Sequence, residues 1–132
     1  MTRYWDSSAL LDVLGDSRIE ALSKEKDQWT RPHTLAEMYS TLTGSRLGFS
    51  YHPADAAAII REITASMNFV ELSPGEIQAA LDSDGQKRGV RGGNVHDFLH
   101  AVAARKAKVE TLLTDNLTDY ANLADGFSVT PP

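Results

Sequence analysis

The stretch RYWDSSALLDVL, residues 3–14, decides the fold class of this chain. Its first part, Arg3–Trp5, has the aromatic content of a short strand and runs directly into a turn at Asp6. Ser7 or Ser8 is predicted to cap a helix at this turn. Apolar side chains then recur at helical spacing at Leu10, Leu11 and Leu14. A strand that passes through a tight turn into a helix is the basic unit of an α/β protein.

The same order of strand and helix recurs along the rest of the sequence. Apolar and β-branched runs predict further strands over residues 28–31, 69–72, 110–114 and 127–130. Helical spacing and cap residues predict helices over residues 17–27, 33–43, 53–67, from 73 onward, 94–108 and 116–123. No hairpin signal joins two strands, so the sheet is predicted to be parallel. We therefore predict one domain over residues 1–132, a three-layer α/β/α sandwich around a roughly five-stranded parallel sheet.

Three local signals place element boundaries. Ser73-Pro-Gly-Glu76 combines a cap, a proline at the first helical position and a glutamate at the third, which is typical of a helix start. Pro53 is predicted to open a helix in the same way, after a loop over residues 44–52. Residues 87–93 are rich in glycine and arginine, and they are predicted to form a loop that leads into the helix at Asn94.

Composition excludes several classes of protein. The chain has 132 residues, of which 42% are hydrophobic and 23% are charged, values typical of a globular domain and not of a collagen-like or disordered chain. The absence of cysteine excludes a disulfide framework, thiolate zinc sites and a cysteine nucleophile, and it fits a reducing compartment. We find no apolar run long enough for a membrane span and no signal-peptide pattern, so we predict a cytoplasmic protein without a membrane partner.

The charge distribution is uneven along a chain whose net charge is −5. Between Gly85 and Lys108 there are six basic residues and one acid, Asp97. Such a stretch is typical either of a surface that binds a polyanion or of a solvated helix face. The sequence leaves both interpretations open.

Acidic residues stand at comparable places after the predicted strands. Asp6 ends the first strand, Glu37 lies in the first turns of the helix after the second, and Asp97 lies in the first turn of the helix behind the glycine loop. Three further candidates follow the strand over residues 110–114, namely Asp115, Asn116 and Asp119. The carboxyl ends of parallel strands gather at one edge of a sheet, so these side chains are predicted to converge. Converging carboxylates repel one another unless a cation neutralises them, and oxygen ligands favour Mg²⁺ or Mn²⁺.

Each acid taken alone also has a structural explanation. Thr34-x-x-Glu37 and Asn94-x-x-Asp97 both fit a capping box, and Asp6 fits a plain turn. Capping does not require the three acids to converge on one point. Their joint placement therefore favours a cation site.

Five motifs spread over the whole chain resemble a known family. They are YWDSSALL (residues 4–11), TLAEMY (34–39), GVRGGNVHDFLH (89–100), LLTDNLTDY (112–120) and VTP (129–131). In this order and with these gaps, they resemble PIN domains, in the subgroup of VapC-type toxins from bacterial toxin–antitoxin pairs. The fold that the resemblance implies is the same α/β/α sandwich around a parallel sheet.

The resemblance implies a Mg²⁺- or Mn²⁺-dependent endoribonuclease. In such an enzyme, clustered carboxylates hold one or two ions, and a water activated by the ion cleaves the RNA backbone to leave a 5′-phosphate and a 3′-hydroxyl. The residues that match the family's metal ligands are Asp6, Glu37 and Asp97. The family's fourth acid corresponds to Asn116, which Asp115 and Asp119 flank, so the residue that completes the catalytic set stays open.

Further roles follow from the resemblance. Ser7 and Thr114 are expected to support the metal ligands, Ser7 by a hydrogen bond to Asp6 or to a metal-bound water. Arg88 and Arg91 are expected to contact RNA phosphates. Three residues of the loop before the fourth helix, Arg46, Phe49 and Tyr51, are candidates for contact with unstacked bases, although packing is the favoured role of all three.

The implied partners are a structured RNA substrate, such as a transfer or ribosomal RNA, a cognate antitoxin protein and a second copy in a homodimer. One alternative is a PIN-like module that binds RNA or protein without cutting, because its fourth acid is displaced. Another is a zinc site at His96 and His100, which share a helix face. Without a third close ligand, packed or exposed histidines are the expected outcome for this pair.

Overall fold

The computed structural model describes all residues from 1 to 132 and contains five short strands and seven helices. The strands are β1 (Arg3–Trp5), β2 (Gln28–Thr30), β3 (Asn68–Phe69), β4 (Thr111–Leu113) and β5 (Ser128–Thr130). The helices are α1 (Ser7–Asp12), α2 (Arg18–Lys24), α3 (Pro32–Thr43), α4 (Pro53–Thr64), α5 (Pro74–Asp82), α6 (Asp84–Lys87) and α7 (Asn94–Ala107). A 3₁₀ turn, Leu117–Tyr120, lies between β4 and β5.

The sheet has the order β3-β2-β1-β4-β5, and every neighbouring pair is parallel. From the central strand β1 the chain moves outward to β2 and β3, then crosses back to β4 and β5 on the other side. The direction of winding therefore reverses at β1, which is where ligands bind in sheets of this type. The predicted α/β class and the predicted five-stranded parallel sheet are confirmed.

The pleat of the central strands divides the core into two halves. Tyr4 pairs with Leu112, and both belong to one apolar cluster, whereas Trp5 pairs with Leu113 in the other. Successive side chains of a strand point to opposite faces, so two adjacent residues can serve both layers. Because both faces of the sheet are apolar, helices must cover each of them, and this produces the three-layer architecture.

Helices cover each face with apolar side chains. On the Trp5 side, α1, α3 and α4 contribute Leu10, Met38 and Ile60, among others. On the Tyr4 side, α7 contributes Phe98 and a run of buried alanines. Leu10, Met38 and Phe98 are fully buried, and each such side chain stabilises the fold by about 1.5–3 kcal/mol.

The start of α1 differs from the prediction. The N-cap is Asp6, and neither Ser7 nor Ser8 takes that position, because both lie in the first helical turn. The Oδ1 atom of Asp6 accepts a hydrogen bond from the Ala9 N–H at 2.9 Å. Aspartate caps helices as well as serine does, and the extended backbone of Asp6 has the conformation that a cap needs.

Several predicted elements are shorter in the structure. The helix predicted over residues 17–27 is α2, the one predicted over 53–67 ends at Thr64, and the one predicted over 116–123 is a single 3₁₀ turn. The strand predicted over residues 69–72 shares only Phe69 with β3, which begins one residue earlier at Asn68. This strand lies at the edge of the sheet and pairs only with β2, so few hydrogen bonds define its length.

The strongest local signals are confirmed. Ser73 and Glu76 form the predicted capping box, in which each side chain accepts the other residue's backbone N–H. Pro53 is the first residue of α4. Both signals act within one helical turn, so tertiary packing does not override them.

The glycine-rich segment contains α6 and the loop over residues 88–93. Lys87, predicted to lie in this loop, is the last residue of α6. Gly89 and Gly92 adopt left-handed backbone conformations, with φ of 67° and 56°. Residues with a Cβ seldom adopt this conformation, which explains the choice of glycine at both turns.

No helix of this chain has both the length and the apolar content needed to cross a membrane.

Candidate functional site

The candidate site lies at the carboxyl ends of β1, β2 and β4. Asp6 follows β1 directly, and its N–H donates to the carbonyl of Leu113 at 3.2 Å, which brings it beside Thr114 at the end of β4. Helix α3, which follows β2, brings Glu37 to this edge, and helix α7 brings Asp97. This edge is also where the winding of the sheet reverses.

Asp6 is 2% exposed, and both of its carboxylate oxygens are hydrogen-bonded. Oδ1 accepts from the Ser8 hydroxyl at 2.7 Å and from the Ala9 N–H, and Oδ2 accepts from the Tyr120 hydroxyl at 3.0 Å. The predicted hydrogen bond from Ser7 is therefore wrong, since Ser8 makes it. The reason is the helical path after Asp6, which directs the second serine back toward the cap and turns the first away.

Tyr120 is predicted to be important for stability because it is the donor to Asp6 Oδ2. Burial and the charge of Asp6 raise the pKa of the Tyr120 hydroxyl, so it keeps its proton and donates. In a metal-free buffer, we expect Tyr120→Phe to lower the free energy of unfolding by about 1–3 kcal/mol, the cost of a buried acceptor left without its partner. Urea denaturation measures the difference.

The matched control for this variant is Tyr39→Phe. Tyr39 is 41% exposed, and it lies on α3 outside the carboxylate set. Its substitution should change the free energy of unfolding by no more than about 0.5 kcal/mol. Equal stabilities of Tyr120→Phe and the wild type would show that the hydrogen bond to Asp6 contributes nothing.

Glu37 is held by a buried chain of side chains. Its Oε1 lies 2.7 Å from Nε2 of His100, whose Nδ1 lies 2.7 Å from the hydroxyl of Tyr4. Burial acts to raise the pKa of Glu37, but the hydrogen bond and the charge of His100, with the charge of Arg31, lower it below its usual value. Glu37 is therefore an ionised acceptor, which requires that Nε2 of His100 carry a hydrogen. One oxygen of Glu37 is fixed by this contact, while Oε2 has no protein partner.

Asp97 is the carboxyl group whose pKa is raised most. Burial, then the charges of Asp119 and Asp6, raise the pKa of Asp97 to about 6. Asp119 and Asp6 come from different elements, so acids from three parts of the chain affect one another at this edge. A carboxylate in such surroundings is stabilised by any cation that binds beside it.

The three residues after β4 have different surroundings. Asp119 is the acid whose charge most strongly affects Asp97. Asp115 lies toward α1, where burial and the neighbouring Asp12 raise its pKa. Asn116 precedes the 3₁₀ turn, and its N–H donates to the Thr114 hydroxyl at 3.0 Å. Asp119 is therefore the best candidate to complete the set.

Thr114 contacts Asp6 only through Ser8. Its hydroxyl lies 3.2 Å from that of Ser8, which itself donates to Asp6. The backbone N–H of Asp115 also donates to Ser8, at 3.0 Å. Ser8 therefore connects the end of β1 to the end of β4.

The donor set fits a hard divalent cation. The carboxylates of Asp6, Glu37, Asp97 and Asp119 offer only oxygen atoms, as Mg²⁺ and Mn²⁺ prefer. Asp6, Glu37 and Asp97 do not form a compact group, however, in which all ligand atoms lie within 4.8 Å of one another. Hydrogen bonds to Tyr120 and His100 hold two of the three carboxylates in their present directions.

Two histidines that the sequence interpretation did not assign together share this edge. His33 and His96, with Glu37, form a group whose ligand atoms all lie within 4.8 Å of one another. The two imidazole rings are stacked, with centroids 5.5 Å apart and an angle of 13° between planes. Burial, and then the charge of Arg31, lower the pKa of His33.

His96 and His100 do not form a zinc pair, and they are an exposed and a packed histidine, as expected. His100 is 1% exposed and bonded at both ring nitrogens, so neither nitrogen is available to a metal. His96 is exposed and does have two further potential ligands close by, although both are far from it in the sequence. The spacing of His33 and Glu37, four residues apart on one helix, is the signal that could have identified them.

A pocket of about 500 Å³ opens beside Glu37. Its lining is mostly polar and includes Ser7, His33, Glu37, Arg46 and His96. Ser7 therefore faces this pocket and does not bond to Asp6. Arg46 also lines this pocket, and its contact with RNA stays a prediction.

The other basic candidates have different positions. The guanidinium of Arg88 is bonded to Asp84, to the carbonyl of Asn122 and to Asp125, so its charge is already compensated within the protein. This arrangement explains Arg88 as a link between α6 and the segment before β5. Arg91 is exposed on the glycine-rich loop and lines a separate pocket of about 280 Å³.

The two aromatic residues of the loop over residues 44–52 have different surroundings. Phe49 is 58% exposed, and Tyr51 packs against the core on the Trp5 side.

The N-caps of α3 and α7 are Arg31 and Gly93, so neither capping box with Glu37 or Asp97 is formed. Helix capping therefore does not explain these two acids.

The comparisons with known proteins bear on the fold alone. No family model matches the chain, and no curated protein matches it. Among solved structures, it is similar to the crystal structure of PAE2754 from Pyrobaculum aerophilum, with a TM-score of 0.69. The match covers 97% of this chain and 89% of that one at 16% sequence identity. The architecture is thus found in another protein over nearly its whole length.

Proposed function

We propose that this chain is a PIN-domain endoribonuclease that requires Mg²⁺ or Mn²⁺ and acts as the toxin of a bacterial toxin–antitoxin pair. The observation that carries the proposal is the placement of Asp6, Asp97 and Asp119 by three different elements at the edge where the winding of the sheet reverses. Burial of Asp97 near the charges of the other two acids costs stability, and helix capping does not account for Asp97. A site that binds a cation and cleaves a polyanion explains the cost.

Asp6, Glu37, Asp97 and Asp119 are the residues proposed to hold the cation. When bound, the cation supplies positive charge against the scissile phosphate and lowers the pKa of a bound water. Tyr120 and Ser8 fix the direction of the Asp6 carboxylate. His100 fixes one oxygen of Glu37 and leaves the other free to act. Asp97 must lose its proton to act as a ligand, which its raised pKa allows above about pH 6.

The surroundings of the site suit a phosphodiester backbone. Arg46 lines the pocket next to Glu37, where its charge can pair with a phosphate. Arg91, exposed on the glycine-rich loop, is a second candidate for contact farther along the strand. A structured RNA, such as a transfer or ribosomal RNA, remains the proposed substrate.

The toxin role adds two protein partners, an antitoxin and a second copy of the chain. An apolar groove between α3 and α4 supports this part of the proposal. It is lined by Leu35, Tyr39, Ile60 and Phe69, among others, and Tyr39 and Phe69 are exposed. The proposal includes a cytoplasmic location, since cellular RNA is the substrate and the chain has no cysteine.

The test is cleavage of a mixed pool of transfer and ribosomal RNA by the purified chain. We expect discrete fragments with 5′-phosphate ends in Mg²⁺ or Mn²⁺ and none in EDTA. The control variant Asp55→Asn removes an exposed carboxylate on α4, outside the site, and should cleave like the wild type. Intact RNA in both metals, with folded protein free of any antitoxin, would contradict the proposal.

A second candidate function is an RNA- or protein-binding module that does not cut. It is favoured by Asn116 at the fourth position and by carboxylates that form no compact group. Such a module would bind the same RNA equally well in Mg²⁺ and in EDTA. Metal-independent binding without cleavage would select it.

A further inference from the structure

Three side chains beside the carboxylate set form a group of different chemistry. His33 and Glu37 are four residues apart on α3, and His96 lies near the start of α7. Their ligand atoms all lie within 4.8 Å of one another, although the two helices are far apart in the sequence. We propose that His33, Glu37 and His96 form a site for a transition-metal ion of the Zn²⁺ class, which shares only Glu37 with the all-oxygen set.

The geometry requires little movement. A tetrahedral zinc ion about 2.0–2.1 Å from each ligand brings the ligand atoms to roughly 3.3 Å from one another. The existing separations of at most 4.8 Å exceed that value by no more than about 1.5 Å, a distance within the reach of side-chain rotation. Both histidines are exposed, so their rings are free to rotate. The pocket of about 500 Å³ that these residues line leaves room for a fourth ligand, such as water.

The carboxylate of this group is already oriented. Nε2 of His100 holds Oε1 of Glu37 at 2.7 Å, and Tyr4 holds His100 in turn. Partners of this kind around a ligand typically strengthen metal binding 10- to 100-fold. Oε2, the oxygen without a protein partner, is the one available to an ion.

The ligand types select the metal. Two imidazole nitrogens and one carboxylate oxygen suit Zn²⁺ and its neighbours in the first transition row, whereas Mg²⁺ takes oxygen ligands and keeps its waters. With three protein ligands and an open position, the site has the form of an exchangeable zinc site and not of a closed structural one. Zn²⁺ is therefore expected to bind where Mg²⁺ does not.

Glu37 belongs both to the zinc group and to the all-oxygen set, so zinc binding is expected to affect activity. A zinc ion bound to Oε2 withdraws that oxygen from the carboxylate set, so Zn²⁺ is expected to inhibit cleavage in Mg²⁺. This consequence rests on the proposed nuclease function, whereas zinc binding itself does not. The test below measures binding, so that its failure is distinguishable from absence of the nuclease.

The test is titration of metal-free wild-type protein with Zn²⁺ against a chromophoric chelator. We expect one tight ion per chain, and affinity at least about 100-fold weaker in His33→Asn and in His96→Asn, since each loses one of three ligands. Co²⁺ in place of Zn²⁺ should give the visible absorption of a nitrogen-ligated ion in the wild type and lose it in both variants.

Two control variants separate this site from others. His52→Asn replaces an exposed histidine that caps α4, and it should bind Zn²⁺ like the wild type. Asp55→Asn removes an exposed carboxylate on α4, outside both sets, and should also keep its zinc affinity, within about threefold. Wild-type zinc affinity in His33→Asn or His96→Asn, or the absence of saturable 1:1 binding in the wild type, would overturn the proposal.

Discussion

Asp97→Asn is expected to unfold at a higher temperature than the wild type in EDTA near neutral pH, and to cleave RNA at least about 100-fold more slowly in Mg²⁺. The two effects have one cause. Burial of Asp97, together with the negative charges of Asp119 and Asp6, makes the ionised carboxylate cost stability, and a bound cation would offset that cost. Removal of the charge relieves the cost and removes the proposed metal ligand.

The sign of the pH dependence follows from the raised pKa. Unfolded Asp97 titrates near 3.8, and the folded chain raises that pKa to about 6. Below both values the carboxyl is neutral in both states and costs nothing. As the pH rises from about 4 to 6, the unfolded chain loses the proton first, so the free energy of unfolding of the wild type falls. This loss of stability reaches its full size above about pH 6, and Asp97→Asn does not undergo it.

The magnitude is moderate because Asp97 is only partly buried. A shift of about two units corresponds to roughly 3 kcal/mol, and screening by solvent reduces this to about 1–2 kcal/mol. For a chain of this length we expect a rise in Tm of about 3–6 °C at pH 7.5 that vanishes near pH 4. Thermal melts by circular dichroism at the two pH values measure it.

Asp6→Asn provides the contrast. It is expected to be equally inactive, but less stable than the wild type by about 1–2 kcal/mol, because Ser8, Ala9 and Tyr120 donate charge-assisted hydrogen bonds to this carboxylate. Asparagine still caps α1, so the fold is kept. Opposite changes in stability with the same loss of cleavage would identify a site built at the expense of stability. A destabilised or active Asp97→Asn would contradict this account.

The sequence predicts most of the fold because its signals are local. Ser73 and Glu76 complete their capping box within one turn, and alternation along Tyr4 and Trp5 assigns one residue to each core. The structure departs from the prediction where the local signals do not decide between neighbouring residues. Asp6 caps α1 in place of a serine, and β3 is shortened at an edge where only one neighbour defines it.

The candidate site is only partly predictable. The acids after the strands could be placed at one edge because topology brings the carboxyl ends of parallel strands together. The positions of His33 beside His96 and of His100 between Tyr4 and Glu37 depend on how α3 and α7 cross the sheet. Such contacts join residues that are far apart in the sequence, so the residues adjacent to each histidine do not predict them. For the same reason, the sequence does not predict that Arg88 binds Asp84, Asn122 and Asp125.

His100 is the residue where this tertiary contact has the largest consequence. We expect His100→Asn to lower cleavage about 10- to 100-fold and His100→Gln to keep it within a few-fold of the wild type. The side-chain amide of asparagine occupies the place of Nδ1, so it still accepts from Tyr4 but cannot reach Glu37. The amide of glutamine occupies the place of Nε2, so its N–H still donates to Glu37.

Stability does not follow the same order as activity. Each variant loses one of two buried hydrogen bonds, and each is therefore expected to be less stable by about 1–3 kcal/mol. A purely structural role of His100 would lower cleavage in both variants in proportion to the unfolded fraction. A role in positioning Glu37 separates them, since only His100→Asn leaves the carboxylate without its donor.

The measurement compares kcat and KM of both variants in Mg²⁺ at a temperature where circular dichroism shows each to be folded. The expected result is a lower kcat for His100→Asn and a nearly normal one for His100→Gln, with similar melting temperatures. Equal activities at equal stability would mean that Glu37 does not need His100 to hold its direction. Glu37 would then act through Oε2 whatever the state of Oε1, and the buried chain from Tyr4 would serve the core alone.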